Sequence, residues 1–208
     1  MKRYGMMGGT FNPIHLAHLY IAYEAKEVLS LDKVIFMPAG NPPHKKYSPI
    51  IDSKYRFDMV QRAIEKYEGF IISDYEINKE GYSYTFETLE YLKEKEKDAE
   101  IFFISGGDSL MALEKWKNPE LVLKNCTFVV FNRGEYTKEK LEIQKLKIEE
   151  KYDSKIILLD VADIDISSSM IRERIEKGKR VDFFLSKEVM DYIEDNQLYR
   201  GVKDVGNR

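Results

Sequence analysis

The chain has 208 residues, 43% of them hydrophobic, enough to bury a full core, and one α/β domain with a small C-terminal extension is the simplest count. A formal net charge of −3 and an isoelectric point near 5.8 lack the basic excess that general nucleic-acid binding needs, so any anion site must be local. The single cysteine, Cys126, excludes an intramolecular disulfide framework. Without an apolar run of spanning length or a signal-peptide core, the expectation is a cytoplasmic protein with no membrane partner.

A short apolar run, 4–7, reads as the first strand. It is followed by Gly8-Gly9-Thr10-Phe11-Asn12-Pro13-Ile14-His15-Leu16-Ala17-His18 and then by good helix formers ending near Leu29, which predicts a strand–turn–helix junction. A glycine pair lets backbone N–H groups approach an anion, and the helix behind it aims free donors and its positive dipole end at the same spot. His15 and His18, spaced i and i+3, share one helix face beside that spot. Taken alone, the spacing also suits two packed core histidines. Zinc is a weaker rival, because three histidines and one cysteine leave too few ligands without distant recruits. The stretch predicts a triphosphate cradle with two imidazoles.

Val34-Ile35-Phe36-Met37 predicts a second buried strand closed by Pro38, and 39–49 a loop carrying Pro42-Pro43-His44-Lys45-Lys46. From an Asp52/Ser53 cap the pattern turns helical through Phe57, Val60, Ile64 and Tyr67. Phe70-Ile71-Ile72 is another strand, 74–83 a polar turn-rich connection, and 84–97 a helix with a solvated, charge-alternating end. Ile101-Phe102-Phe103-Ile104 is the clearest buried strand and ends in a second glycine-rich turn, Ser105-Gly106-Gly107-Asp108. Trp116 precedes a short helix opened by Asn118-Pro119. A strand at 127–131 follows, closed by Asn132-Arg133-Gly134. Residues 138–151 predict a helix with a poorly defined face, 156–159 a last strand, and 187–195 a final helix before a tail, 201–208, expected to fray. Residues 1–200 are thus expected to form one domain, with 166–200 its helical C-terminal part.

Strands alternating with helices predict a doubly wound, mostly parallel sheet, whose ligands sit beyond the carboxyl ends of the strands. Three motif-bearing loops satisfy that rule, at Gly8 to His18, Ala39 to Lys46 and Ser105 to Asp108. The run Ile166-Ser167-Ser168-Ser169-Met170-Ile171-Arg172 adds a second helix N-terminus rich in hydroxyls, free N–H groups and a guanidinium, donors suited to the β- and γ-phosphates of a triphosphate. Alone it would be an ordinary serine cap.

The first run resembles the signature G-G-T/S-F-D-P-x-H-x-G-H of the nucleotidyltransferase superfamily, and 166–172 resembles its I-S-S-T-x-x-R. Asn12 stands in place of Asp, Ala17 in place of Gly and Ser169 in place of Thr. Between the two, Pro42-Pro43-His44-Lys45, Gly81-Tyr82-Ser83-Tyr84-Thr85, Gly106-Gly107-Asp108 and Trp116 are similar to segments of the bacterial nicotinate mononucleotide adenylyltransferases, and the likeness covers nearly the whole chain. The resemblance implies a Rossmann-like nucleotidyltransferase fold that transfers the adenylyl group of ATP to nicotinate mononucleotide, giving nicotinate adenine dinucleotide and pyrophosphate in NAD biosynthesis. Mg2+ is implied as a bridge between ATP phosphates, with no dedicated protein metal site. His15, His18 and Arg172 are implied to be catalytic. Gly8, Gly9, Thr10, Phe11, Gly106, Asp108, Ile166, Ser167, Ser168 and Ser169 join them around ATP. His44, Lys45, Tyr84, Thr85, Asp108, Trp116 and Arg133 are implied for the mononucleotide. In that scheme the indole faces the cationic pyridinium, with a cation–π attraction of about 0.5–2 kcal/mol. Thr85 would meet the pyridine carboxylate, Asp108 ribose hydroxyls and Lys45 the phosphate. Two alternatives stay open at this point: a relative using nicotinamide mononucleotide, pantetheine phosphate or a phosphorylated polyol with CTP, and a nucleotide-binding sensor that has lost catalysis. The sequence allows a homo-oligomer without specifying one, and it leaves the preference between acid and amide pyridines undecided.

Overall fold

The computed structural model describes residues 1–41, 50–132 and 136–200. His44, Lys45, Arg133 and the tail 201–208 lie outside the described residues. Six strands, β1 (Lys2–Gly9), β2 (Lys33–Pro38), β3 (Phe70–Ile72), β4 (Ala99–Gly106), β5 (Thr127–Phe131) and β6 (Ile156–Leu159), form one sheet in the order β3-β2-β1-β4-β5-β6. Every neighbouring pair is parallel. Parallel strands need helical crossovers that cover both faces, which is why they read as continuous apolar runs, with all five residues of β5 buried.

Because side chains alternate across a strand, Met6 and Met7 enter different cores. On the Met7 side pack α1 (Leu16–Val28), α2 (Ser53–Ile64), α8 (Ser168–Glu176) and α9 (Lys187–Asp195), through residues such as Ala22, Met59, Ile171 and Val189. On the Met6 side pack α4 (Thr85–Lys95), α5 (Gly107–Ala112), α6 (Pro119–Asn125) and α7 (Lys138–Tyr152), through Leu89, Leu110, Val122 and Ile148. A further α-helix, α3 (Tyr75–Asn78), is a single turn after β3. Among the described residues no helix is long and apolar enough to cross a membrane.

Three expectations need correction. The glycine pair Gly8-Gly9 is not a turn: β1 runs through it, with Gly8 opposite Met37 and Gly9 opposite Pro38. The second glycine-rich turn is the junction of β4 with α5, since Gly106 ends the strand and Gly107 starts the helix. The connection at 74–83 contains α3, whose Glu76 is buried and accepts a hydrogen bond from Thr88 Oγ1 at 2.7 Å. That turn is held by a tertiary contact that no local pattern announces. The ill-defined face of α7 also has a cause, because only Leu141 and Ile148, seven residues apart, are buried, while Ile143 and Leu146 face solvent.

The strand order reverses direction between β1 and β4. Crossovers leave these two strands toward opposite sides, so a crevice opens beyond their carboxyl ends, and ligands of such sheets bind there. Gly8, Gly9, Ser105 and Gly106 stand at its floor.

Candidate active site

The floor needs glycine for room. A Cβ on Gly9 would lie 3.0 Å from the Phe11 ring, and that ring is itself fixed by a left-handed backbone at Phe11 (φ 48°). Phe11 packs edge-on to His18, with ring centroids 5.1 Å apart, and tilts against Phe36 at 6.0 Å. Beyond it the Asn12–Pro13 peptide is cis. α1 begins at Leu16, with His15 its N-cap and His18 its third residue.

This start alters the expected cradle. The first helical N–H, from Leu16, donates to Phe184 O at 2.9 Å, and the His18 N–H returns to His15 O. Those two donors are engaged inside the protein, so what α1 chiefly presents to the crevice is an imidazole. The His15 backbone N–H donates to His18 Nδ1 at 3.2 Å, and the two rings stack with centroids 3.6 Å apart. An Nδ1 that accepts leaves the ring proton on Nε2, so His18 has a fixed tautomer and a donor on its far side. His15 is 2% exposed and backs His18 rather than standing beside it in solvent.

Three cavities meet along the carboxyl edge. The first, ≈ 190 Å³, lies between Gly8, His18, Gly106, Gly107 and Asp108. The second, ≈ 360 Å³, is bounded by Thr10, Phe11, Asn12, His15, His18, the three serines and Arg172. The third, ≈ 250 Å³, is bounded by Gly8, Gly9, Thr10, Glu76, Tyr84, Thr85, Trp116 and Lys117. They share walls: His18 belongs to the first and second, Gly8 to the first and third, Thr10 to the second and third.

The serine run reaches this edge because it is tied there. Ser167 caps α8, its Oγ accepting from the Met170 N–H at 3.2 Å. Ser168 Oγ donates to Pro13 O at 2.8 Å, and Arg172 donates to Asn12 O at 2.8 Å and to Ser169 Oγ at 3.2 Å. Two segments more than 150 residues apart thus close one cavity, with the first-turn N–H groups of α8 at its wall. Tyr199 is tied to the same segment, its hydroxyl donating to Asn12 Oδ1 at 2.9 Å. Asn12 therefore keeps the acceptor role that an aspartate would have had.

Tyr84, Thr85 and Trp116 do come together, as N-cap and first residue of α4 and as an indole packed on Phe103 and Phe128 at 6.2 and 6.3 Å. Asp108 stands on the first cavity, away from the one bounded by Trp116. Ile166 packs, partly buried, against the core on the Met7 side. Cys126 is no candidate nucleophile, since burial pushes its thiol up to about 12.

Sequence reasoning missed Arg56 and Glu76. Arg56 is 1% exposed and donates to the carbonyls of Thr10 at 2.8 Å, Gly40 at 3.2 Å and Ile51 at 3.2 Å. A signal existed: Arg56 lies three and four residues before the buried Met59 and Val60, on the core face of α2. Burial lowers its guanidinium from the ordinary value, partly offset by the Tyr199, Asp52 and Glu76 side chains. Glu76, 6% exposed on the third cavity, has its carboxyl raised above the ordinary 4.5 by burial, against the opposing hydrogen bond from Thr88.

A raised folded-state value means that the folded chain holds this proton more tightly than the unfolded chain does. Glu76 therefore contributes an instability that grows as pH climbs from about 4.5 through the raised value and is constant above it. Glu76→Gln, which keeps an acceptor for Thr88, is expected to melt higher than wild type by a margin that widens over that window. Thermal melts of both proteins from about pH 4 to about pH 8 check this, and a pH-independent difference would refute it.

Residues 6–174 match the family described as Cytidylyltransferase-like. A Clostridium botulinum (strain Eklund 17B / Type B) protein named "Probable nicotinate-nucleotide adenylyltransferase" is 54% identical over 200 residues, covering 96% of this chain and 99% of that protein. A Clostridium beijerinckii protein of the same name is 53% identical over 204 residues, covering 96% and 100%. The same fold occurs in Plasmodium falciparum nicotinic acid mononucleotide adenylyltransferase complexed with NaAD, with a TM-score of 0.79 at 18% identity over 96% of this chain and 98% of that one.

Proposed function

The chain belongs to the cytidylyltransferase-like family, and from that membership and its site we infer that it transfers the adenylyl group of ATP to nicotinate mononucleotide, forming nicotinate adenine dinucleotide and pyrophosphate in NAD biosynthesis. The observation that carries this reading is the meeting of three cavities at the β1–β4 switch point, with His18 on the wall between two of them. One cavity is donor-rich and suits a triphosphate. Another is walled by an indole and a tyrosine ring and suits a pyridine nucleotide. Residues 1–200 are taken as one unit in this reading.

The chemistry is a direct in-line displacement. An oxygen of the mononucleotide's phosphate attacks the α-phosphorus of ATP; a new P–O bond forms as the α–β bridging bond breaks, and pyrophosphate leaves with that electron pair. The attacking oxygen is already ionised near neutral pH, so no protein base has to remove a proton first. What remains for the protein is positioning and stabilisation of developing negative charge. The outward Nε2–H of His18 suits the oxygens of the phosphorus under attack. Arg172, held by Asn12 O and Ser169 Oγ, suits the departing pyrophosphate together with the first turn of α8. His15 acts through His18, by stacking and by its backbone bond to Nδ1.

Among the described residues no group of three or more His, Cys, Asp or Glu side chains is placed to hold a metal ion. Magnesium carried in with the triphosphate would be held chiefly by phosphate and water oxygens, with Asp108 the carboxylate on the first cavity that would meet it. When bound to the triphosphate, magnesium supplies further neutralisation of charge on the phosphate oxygens.

The test is acceptor-dependent release of pyrophosphate. With ATP and magnesium, nicotinate mononucleotide is expected to give pyrophosphate in equal amount to a dinucleotide of the corresponding mass. Parallel reactions contain nicotinamide mononucleotide, pantetheine phosphate, or a phosphorylated polyol with CTP. Turnover of pantetheine phosphate with none of nicotinate mononucleotide would defeat the assignment. Binding of ATP with no pyrophosphate released under any acceptor would mark a sensor instead.

A further inference from the structure

The acid and amide forms of a pyridine mononucleotide differ in one substituent, a carboxylate against a neutral carboxamide, and the described residues of the third cavity contain one cation that could tell them apart. We propose that Lys117 is the specificity-determining residue that makes this site prefer the acid, an inference that rests on reading this cavity as the one that takes the pyridine.

The groups around the cavity give such a residue a role. Glu76 presents a buried carboxyl to it, which in its ionised form disfavours a second anion in the same space. Trp116 and Tyr84 add aromatic faces, whose negative quadrupoles favour the pyridinium ring and do nothing for its carboxylate. Against these, Lys117 is the sole cation among the described residues that bound the cavity. Its Nζ rests 4.2 Å from the centroid of the Tyr84 ring and 5.9 Å from that of Phe86, with no salt-bridge partner among the described residues.

Tyr84 is the N-cap of α4 and supplies no side-chain cap, so the ammonium is parked beside the open first turn that begins at Thr85. Two sources of positive potential, one fixed and one on a flexible four-carbon stem, therefore occupy the same end of the cavity. A cation–π rest position is shallow, so the ammonium moves from the Tyr84 face to an arriving carboxylate at small cost. A carboxamide offers a dipole instead of a charge and draws little from that move.

Trp116 is the only tryptophan and stands on the same cavity, so its fluorescence reports binding without turnover. Wild type, Lys117→Met and Lys117→Glu are titrated with nicotinate mononucleotide and with nicotinamide mononucleotide, and kcat/KM is measured for both. Lys117→Met keeps the stem and removes the charge. It is expected to weaken the acid by about fivefold or more while leaving the amide within about twofold, as befits a partly exposed charge pair. Lys117→Glu should push the acid-to-amide ratio further down. Raising KCl from roughly 0.05 to 0.5 M should shrink the ratio in wild type and leave it unchanged in Lys117→Met.

Equal weakening of both ligands, which a merely structural lysine would give, overturns the proposal, and so does an unchanged acid affinity. The two readings fail separately. If the acid is adenylylated and the ratio does not respond to Lys117→Met, the lysine's role falls alone. If neither mononucleotide is adenylylated yet the acid binds better through Lys117, adenylyl transfer falls and the specificity residue stands.

Discussion

His18→Ala is expected to lower kcat by about a hundredfold to a thousandfold while shifting ATP affinity by less than about threefold, the signature of a donor used chiefly in the transition state. The expectation follows from how the ring is held. Stacking on His15 at 3.6 Å and edge contact with Phe11 at 5.1 Å leave it little freedom, and the His15 N–H at Nδ1 fixes which nitrogen carries the proton. Such a donor is already aimed before charge develops on the phosphate oxygens, so no reorganisation is charged against the barrier. Two further variants separate the nitrogens. His18→Asn can still accept from the His15 N–H but has no far-side donor, so it should match alanine. His18→Gln can place an amide N–H near the Nε2 position and should recover part of the loss. Single-turnover rates and ATP titrations decide the matter: equal losses in binding and in turnover would make His18 a ground-state ligand.

The largest expected effect on stability is at Arg56. Arg56→Met fills similar space but leaves the carbonyls of Thr10, Gly40 and Ile51 without their buried donor. Each such acceptor costs about 1–3 kcal/mol. Relief of burying a charge, the same effect that lowers this guanidinium's protonation, offsets part of the sum. A net loss of about 3 kcal/mol remains, or a fall in Tm of about 6–12 °C for a chain of this size. Arg56→Lys should recover less than half, because one ammonium cannot span three carbonyls that a planar guanidinium reaches together. Activity measured well below the melting point should show raised KM for both substrates, since Thr10 bounds two of the three cavities. A Tm within about 2 °C of wild type would show that the three bonds are dispensable.

The buried arginine also shows where local reading ends. Its position on the inner face of α2 follows from its spacing to Met59 and Val60, yet nothing local says that a guanidinium there would find three carbonyls. Glu76 and Tyr199 are of the same kind. Glu76 is fixed by Thr88 on another helix, and Tyr199 by Asn12, 187 positions earlier. His15 and His18 were legible as a pair, but their difference was not: His15, the N-cap of α1, is 2% exposed behind His18, which bounds two cavities.

Alternating apolar strands and helices determined a parallel sheet, and two donor-rich runs at strand and helix ends made an anion site at its carboxyl edge the expectation. These are properties of short windows, where periodicity, capping and composition act on neighbouring residues. Only the tertiary structure decided that β1 and β4 adjoin, that Gly8-Gly9 is strand, that Arg172 meets Asn12, and that Glu76 and Lys117 share a cavity with Trp116. Each of those depends on which distant groups come within a few ångströms once two cores have closed on either side of one sheet, and contact at that range is set by packing rather than by order along the chain.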